Sequence, residues 1–238
     1  MKKFVKNSFL MIRHGESIWN HKSKFTGWTD IPLTENGFEE AKNIGNILEK
    51  LDLYPGFFFS SSLKRSIDTN DIIMRTLKMN CKNEENWRLN EKHYGYLDGI
   101  ERNIIKQHFG EQYIELMRKS YTMHPPIYKN KKIIENHYYT TYTNMYFHLH
   151  PMGESKKMVM ERFKPYWKET ILPTIYSGIT PLICTHKHTA RVLMKHIKKI
   201  SDKDFENYQL PSKKILYISL NDKGFVDEER HIPYDLFK

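Results

Sequence analysis

Short runs of consecutive apolar residues alternate along the chain with longer stretches in which apolar residues recur every three or four positions. Phe9-Leu10-Met11-Ile12 is the first such run, apolar on successive positions as a strand covered on both faces is. It stops at Arg13-His14-Gly15-Glu16-Ser17, where a helix is predicted to open near Ser17, with a loop over 22–28. Thr34 is placed to cap a helix whose apolar positions are Phe38, Ala41, Ile44, Leu48 and Leu51. Pro55-Gly56 closes it, and Phe57-Phe58-Phe59 forms a second buried run ending in Ser60-Ser61-Ser62. Helical spacing resumes over 63–77. The mixed polar and aromatic text of 87–95 predicts an irregular surface segment, followed by a helix through 104–118 and a stop at Pro125-Pro126.

Residues 127–150, rich in Tyr, Asn, Lys and His, read as a surface excursion. Met158, Val159, Arg162, Phe163, Tyr166 and Trp167 mark a helix from about Glu154 that Pro165 can kink. Pro181-Leu182-Ile183-Cys184 is a third buried run, followed by a helix carrying Val192, Leu193, Met194 and Ile197. A last strand is predicted over 215–220. Strand–helix alternation of this kind predicts an α/β fold, a single three-layer domain over 1–238 with a largely parallel central sheet flanked by helices.

Composition narrows the picture. The 238 residues suit one α/β domain, and 39% hydrophobic with 28% charged residues is a globular composition. Lys and Arg exceed Asp and Glu by 38 − 28 = 10, so the chain favours anionic partners. Two distant cysteines, Cys81 and Cys184, build no disulfide framework and fit a reducing compartment. Lys6 and Asn7 interrupt the apolar start before it can act as a signal core, and no run reaches the roughly 18 apolar residues of a membrane helix. The expectation is a cytoplasmic protein with no membrane partner.

Two of the apolar runs end in a histidine, at Ile12-Arg13-His14 and at Cys184-Thr185-His186. Open α/β sheets bind ligands beyond the carboxyl ends of their strands, where helix N-termini offer free N–H groups. If the two strands are neighbours, both imidazoles face one anion-binding pocket. Arg13, Lys64, Arg65, Lys187 and His188 add cationic side chains near the strand ends, and arginine suits phosphate. Gly15 removes bulk where a phosphate would approach the backbone. A neutral histidine can take a phosphoryl group covalently, arginines and a second histidine can spread the transition-state charge, and a carboxylic acid can protonate the leaving oxygen. Glu16 and Glu91 are the candidates for that acid, with Glu16 also placed to cap a helix or orient an arginine.

Arg13-His14-Gly15-Glu16-Ser17 resembles the signature of the histidine phosphatase superfamily. Further runs narrow the resemblance to the cofactor-dependent phosphoglycerate mutases. These are Trp19-Asn20, Phe25-Thr26-Gly27-Trp28-Thr29-Asp30, Leu33-Thr34-Glu35-Asn36-Gly37, Lys64-Arg65-Ser66, Trp87 to Gly95, Arg118-Lys119-Ser120-Tyr121, Pro125-Pro126, Pro151-Met152-Gly153-Glu154-Ser155 and Leu210-Pro211. The resemblance runs in order through nearly the whole chain. It implies a phosphoglycerate mutase-like fold, with His14 as the phosphorylated nucleophile. His186, Arg13 and Arg65 would stabilise the transferring group, and Glu91 would donate and accept the proton. It also implies that Gly15, Ser17, Asn20, Thr26, Gly27, Lys92, Tyr94, Arg102, Arg118, Lys119 and His188 bind substrate. The implied reaction interconverts 3-phosphoglycerate and 2-phosphoglycerate, primed by 2,3-bisphosphoglycerate and without metal. Its partners are small phosphorylated three-carbon acids, with a homo-oligomer allowed by the family and nucleic acid not expected.

The chain departs from the family at several points. The family usually has His-Gly-Asn where this chain has His186-Lys187-His188, and Lys92, Arg102 and Lys119 stand where it tends to have arginine, lysine and arginine. The family's Lys-rich tail has no counterpart in Tyr234-Asp235-Leu236-Phe237-Lys238. Bulk at Lys187 and a weaker cover both point toward the alternative activity, a phosphomonoesterase of the same superfamily. The Tyr-rich stretch from Tyr138 to Tyr146 reads as surface before it reads as a nucleic-acid platform, and His137, His148 and His150 lack metal-site spacing.

Overall fold

β1 (Ser8–Arg13) runs through the middle of a six-stranded sheet in the computed structural model, which describes residues 5–127 and 151–237. β2 (Phe57–Ser60), β3 (Asn83–Glu85) and β4 (Pro181–Thr185) lie to one side of it, and β5 (Lys214–Leu220) and β6 (Val226–Pro233) to the other, in the order β3-β2-β4-β1-β5-β6. β1, β2, β3 and β4 pair in parallel, whereas β5 and β6 form an antiparallel edge. The surface excursion expected at 127–150 lies outside the described residues beyond Ile127.

The consecutive apolar residues of β1 do what the pattern predicts, because successive side chains point to opposite faces. Phe9 and Met11 join a core with Phe163, Trp167 and Leu193, while Leu10 and Ile12 join one with Ile44, Leu48 and Ile73. Helices cover both faces, giving three layers. α1 (Ile18–His21) is a single turn opened by Ser17, whose Oγ accepts the Asn20 amide in a capping box. α2 (Glu35–Lys50) is capped by Thr34, and α3 (Lys64–Thr76) follows β2. α4 (Arg102–Phe109) and α5 (Glu111–Lys119) come next. The C-terminal half supplies α6 (Lys156–Tyr166), α7 (Leu172–Tyr176), α8 (Lys187–Ile197) and α9 (Asp202–Asn207).

Four sequence expectations need correction, and the first is the surface placement of 87–95, since Leu89 to Gly95 are buried. The helix predicted through 104–118 is two helices, because Gly110 adopts φ 80°, which breaks the helical path. The strand over 215–220 is not the last; β6 pairs with it along the sheet edge. A short strand, β3, was not expected. Both missed strands are edge strands with polar sequences, Asn83-Glu84-Glu85 and Val226-Asp227-Glu228-Glu229-Arg230, so they lack the apolar run that marks a buried strand. Pro165 lies inside α6, and a π-turn over Trp167–Ile171 follows before α7.

Candidate active site

Sheet register brings the two histidines together. β1 and β4 pair with Arg13 opposite Thr185, and the His14 amide donates to the Thr185 carbonyl at 3.1 Å. The residues that follow each strand therefore leave the sheet side by side, and the His14 and His186 rings lie 4.8 Å apart between centroids. The spacing leaves both imidazoles in reach of one phosphoryl group.

The His14 ring is held in one tautomer. Its Nδ1 lies 2.6 Å from the Gly15 carbonyl, which only accepts, so Nδ1 carries the proton and Nε2 keeps its lone pair. Burial, then Arg65 and Arg13, holds its pKa well below the usual histidine value, against the Gly15 hydrogen bond. A neutral ring is the nucleophilic form. His186 is held neutral in the same way, by burial first and then by Arg65, His14 and Arg13. Ser61, just past the end of β2, places its Oγ 2.8 Å from His186 Nε2, while the buried Nδ1 has no protein partner.

Arg65 opens α3 and is fully buried, donating from Nη1 to the Thr29 carbonyl and from Nη2 to the Gly27 carbonyl. Arg13 donates to Asn20 Oδ1 at 3.1 Å. These residues line one cleft with Lys24, Phe25, Thr26, Glu91, Tyr94, Arg102, Arg118, Lys187 and His188. Among the described residues Glu91 is the one carboxylate lining this cleft, and it lies amid cations. It is 9% exposed, and its Oε1 accepts the Lys92 amide at 2.8 Å and the His188 amide at 3.1 Å. The second of those amides belongs to the first turn of α8, so a helix N-terminus fixes the carboxylate beside the histidines. Among the described residues, the buried Thr26 Oγ1 and His188 Nδ1 also lack protein partners. A cleft with this charge and these unpaired polar atoms fits a small molecule carrying phosphate and carboxylate.

Not every predicted binding residue reaches the cleft. Gly15 does not line it. A Cβ there would stand 2.4 Å from the Gly37 carbonyl oxygen, so the glycine serves a close approach to the first turn of α2. Ser17 is spent on the α1 cap. Lys92 is fully buried with Nζ 3.5 Å from the Met117 carbonyl, turned away from the cleft. Lys119 pairs with Glu115 and lines an adjoining recess with Arg118, Lys187, His188 and Arg191. Glu16 accepts from Thr34 Oγ1, serving the α2 cap, and lines an adjoining pocket with Arg13 and His14.

Several contributors were not singled out from the sequence. Lys24 and Phe25 line the cleft, and Ser61 holds His186. Thr69 accepts the Gly15 amide. Arg162 donates to the carbonyls of Arg88, Asn90 and Glu91 and pairs with the buried Glu154 at 2.7 Å, fixing the segment that carries Glu91. Ser61 stands at a strand end and could have been found there; Arg162 sits among apolar residues of a helix and gave no signal. Among the described residues, no group of three or more His, Cys, Asp or Glu side chains could hold a metal ion, and no helix is long and apolar enough to cross a membrane.

A histidine pair at adjoining strand ends, with arginines and one carboxylate, defines a phosphoryl-transfer site, and the model of the histidine phosphatase superfamily (branch 1) matches residues 9–230. The chain belongs to that superfamily. Within it the chain belongs with the 2,3-bisphosphoglycerate-dependent phosphoglycerate mutases. It is 36% identical over 215 residues to the protein of that name from Haemophilus influenzae (strain PittGG), covering 90% of this chain and 95% of the relative. It is 34% identical over 223 residues to the one from Staphylococcus carnosus (strain TM300), covering 93% and 98%. Among solved structures, a mycobacterial glucosyl-3-phosphoglycerate phosphatase superposes with TM-score 0.70 at 20% identity, covering 94% of this chain and 96% of that one. The alpha-ribazole phosphatase from Shigella flexneri superposes with TM-score 0.67 at 18% identity, covering 94% and 95%.

Proposed function

We propose that the protein is a cytoplasmic phosphoglycerate mutase that interconverts 3-phosphoglycerate and 2-phosphoglycerate through a phosphohistidine at His14. The observation that carries this reading is the pairing of a neutral His14, its Nε2 free, with His186 at 4.8 Å between ring centroids and Glu91 in the same cleft. His14 Nε2 attacks phosphorus while the leaving oxygen takes a proton from Glu91. Arg13, Arg65 and His186 balance the charge that spreads over the three equatorial oxygens. In the isomerisation the primed His14 first gives its phosphoryl group to the free hydroxyl of the phosphoglycerate, Glu91 taking that proton, and Nε2 then takes the other phosphoryl group back while Glu91 returns the proton to the oxygen left behind.

Arg102, Arg118, Tyr94 and His188 line the part of the cleft where the glycerate carboxylate and a second phosphate would be held. When bound, 2,3-bisphosphoglycerate supplies the phosphoryl group that primes His14. The curated relatives at 34–36% identity favour a mutase. A second reading, a phosphomonoesterase, is favoured by Lys187, a half-buried cation on the cleft wall beside His186 where the family usually has glycine. The two are separated by following 3-phosphoglycerate isomerisation and phosphate release side by side, with and without 2,3-bisphosphoglycerate. Isomerisation that outpaces phosphate release and rises with the bisphosphate is expected. Phosphate release with no isomerisation would replace the mutase by the hydrolase.

A further inference from the structure

α5 carries Arg118 to the cleft and packs through Met117 in a small core with Phe25, Tyr94 and Ile105. It spans Glu111–Lys119, its Gly110 cap makes no side-chain hydrogen bond, and Gly110 cuts it from α4. A helix of that length has little stability of its own. Its last carbonyls have no partner within the helix and take donors from elsewhere.

Those donors come from buried side chains on other elements. Lys156, the first residue of α6, donates from Nζ to the Ser120 carbonyl at 2.7 Å and to the Met117 carbonyl at 3.3 Å. Arg191 of α8 donates from Nη1 to the Arg118 carbonyl at 2.9 Å. Lys156 is 0% exposed, among the largest fully buried side chains of the protein. Burying an amine costs far more than burying a thioether of similar length, so these two carbonyls are the compensation the site offers. Burial, with Lys92 and Arg191 nearby, pushes the Lys156 ammonium down to about 6. An amine offers two N–H donors and an ammonium three, so both carbonyls are held in either state.

We infer that Lys156 is a positioning residue, which holds α5 by the Met117 and Ser120 carbonyls and so sets Arg118 at the cleft to receive the anionic group of the ligand remote from His14. This rests on the reading of the cleft as a site for an acid with two anionic ends. Lys156 itself touches no ligand. Its effect belongs to the remote end and spares the end at His14, where Arg13, Arg65 and His186 hang from the sheet and α3.

K156M keeps the length of the side chain and removes its donors. Two readouts are taken on the full chain. Amide hydrogen exchange over 111–120 is expected to quicken on the order of tenfold, the loss of roughly one net hydrogen bond, with the sheet unchanged. Calorimetric affinity for 3-phosphoglycerate is expected to fall by about the same factor, while affinity for inorganic phosphate stays within about twofold. K156R, which retains donors, is expected to recover most of both. Should K156M not fold, K156Q, able to hold one of the two carbonyls, takes its place with a smaller effect in the same direction. Unchanged exchange over 111–120 would overturn the clamp. Faster exchange with unchanged 3-phosphoglycerate affinity, or equal losses for 3-phosphoglycerate and phosphate, would overturn the positioning role. Absence of 3-phosphoglycerate binding in the unsubstituted protein would count against the proposed activity instead, and exchange would still decide the clamp.

Discussion

The two ends of the cleft are built in different ways. At the inner end, His14 and His186 leave neighbouring parallel strands, and their spacing follows from a register that pairs Arg13 with Thr185. Arg65 is fixed there by two backbone carbonyls. At the outer end, Arg102, Arg118 and His188 come from three helices, and Arg118 depends on a short helix held through its backbone by Lys156 and Arg191. Chemistry that tolerates little displacement sits where the sheet sets the geometry. Recognition of the rest of the ligand is assigned to side chains whose placement is held by a few buried donors, which substitution can alter without disturbing the nucleophile.

The sharpest way to break the contrast is at the inner end. His14→Ala is expected to abolish acid-labile phosphorylation by 2,3-bisphosphoglycerate completely, measured by phosphoryl retention on the denatured protein. Residual labelling in that variant would move the nucleophile elsewhere.

A titration separates the buried histidines from the buried lysines by their pH windows. His14, His186 and His188 are all held below the usual histidine value, chiefly by burial. The unfolded chain then binds protons near pH 6.5 that the folded chain refuses, so this stability is complete above pH 6.5 and is lost as pH falls below it. Lys92 and Lys156, pushed down to about 8 and about 6 mainly by burial, act higher. Between those values and the ordinary lysine pKa, stability rises with pH by about 1.4 kcal/mol per unit for each group. Denaturant unfolding from pH 5 to 9 is expected to show stability rising throughout. The K156M variant is expected to flatten the slope between pH 7 and 9 and to leave the limb below 6.5 in place. A slope that K156M leaves unchanged would show that the buried amine keeps its proton in the folded chain.

The same division explains what the sequence disclosed. Strand ends were legible because Phe9 to Ile12 and Pro181 to Cys184 are apolar on consecutive residues, and each run stops at a histidine. Their adjacency was not, since it depends on a sheet order that places β4 beside β1 across more than 160 intervening residues. The binding roles that the resemblance implies for Gly15, Ser17 and Lys92 have no counterpart in the cleft lining, which omits all three. Gly15 and Lys92 directly follow the cleft residues His14 and Glu91, but a residue one position along can point to another side of the backbone, and Ser17 is taken by the α1 cap. Lys156 and Arg162 were invisible for a related reason. Each is a charged residue on a largely apolar helix face, and its meaning lies in carbonyls of distant segments, at Met117 and Ser120 for one and at Arg88, Asn90 and Glu91 for the other. β3 and β6 escaped because edge strands need no apolar run.

The smallest effect is expected where the two ends meet, at Lys187 and His188 in the first turn of α8. Lys187 lines the cleft beside His14 and Arg13, and burial, then Arg118 and Arg13, lowers its pKa. The His188 amide holds Glu91, an interaction of the backbone that a side-chain substitution preserves. Its buried Nδ1 lacks a protein partner, whereas an asparagine amide there offers donors of its own. K187G with H188N therefore keeps the carboxylate in place, removes one cation and its bulk, and changes the polar group facing the ligand. One hydrogen bond's difference in how the intermediate is retained corresponds to a rise of roughly two- to tenfold in the ratio of isomerisation to phosphate release. The rise should appear with little change in the rate of His14 phosphorylation, because Arg13, Arg65 and His186 are untouched. A ratio that stays constant, or a fall in phosphorylation that matches the fall in turnover, would show that the outer wall and the nucleophile are not separable, and that α8 sets both.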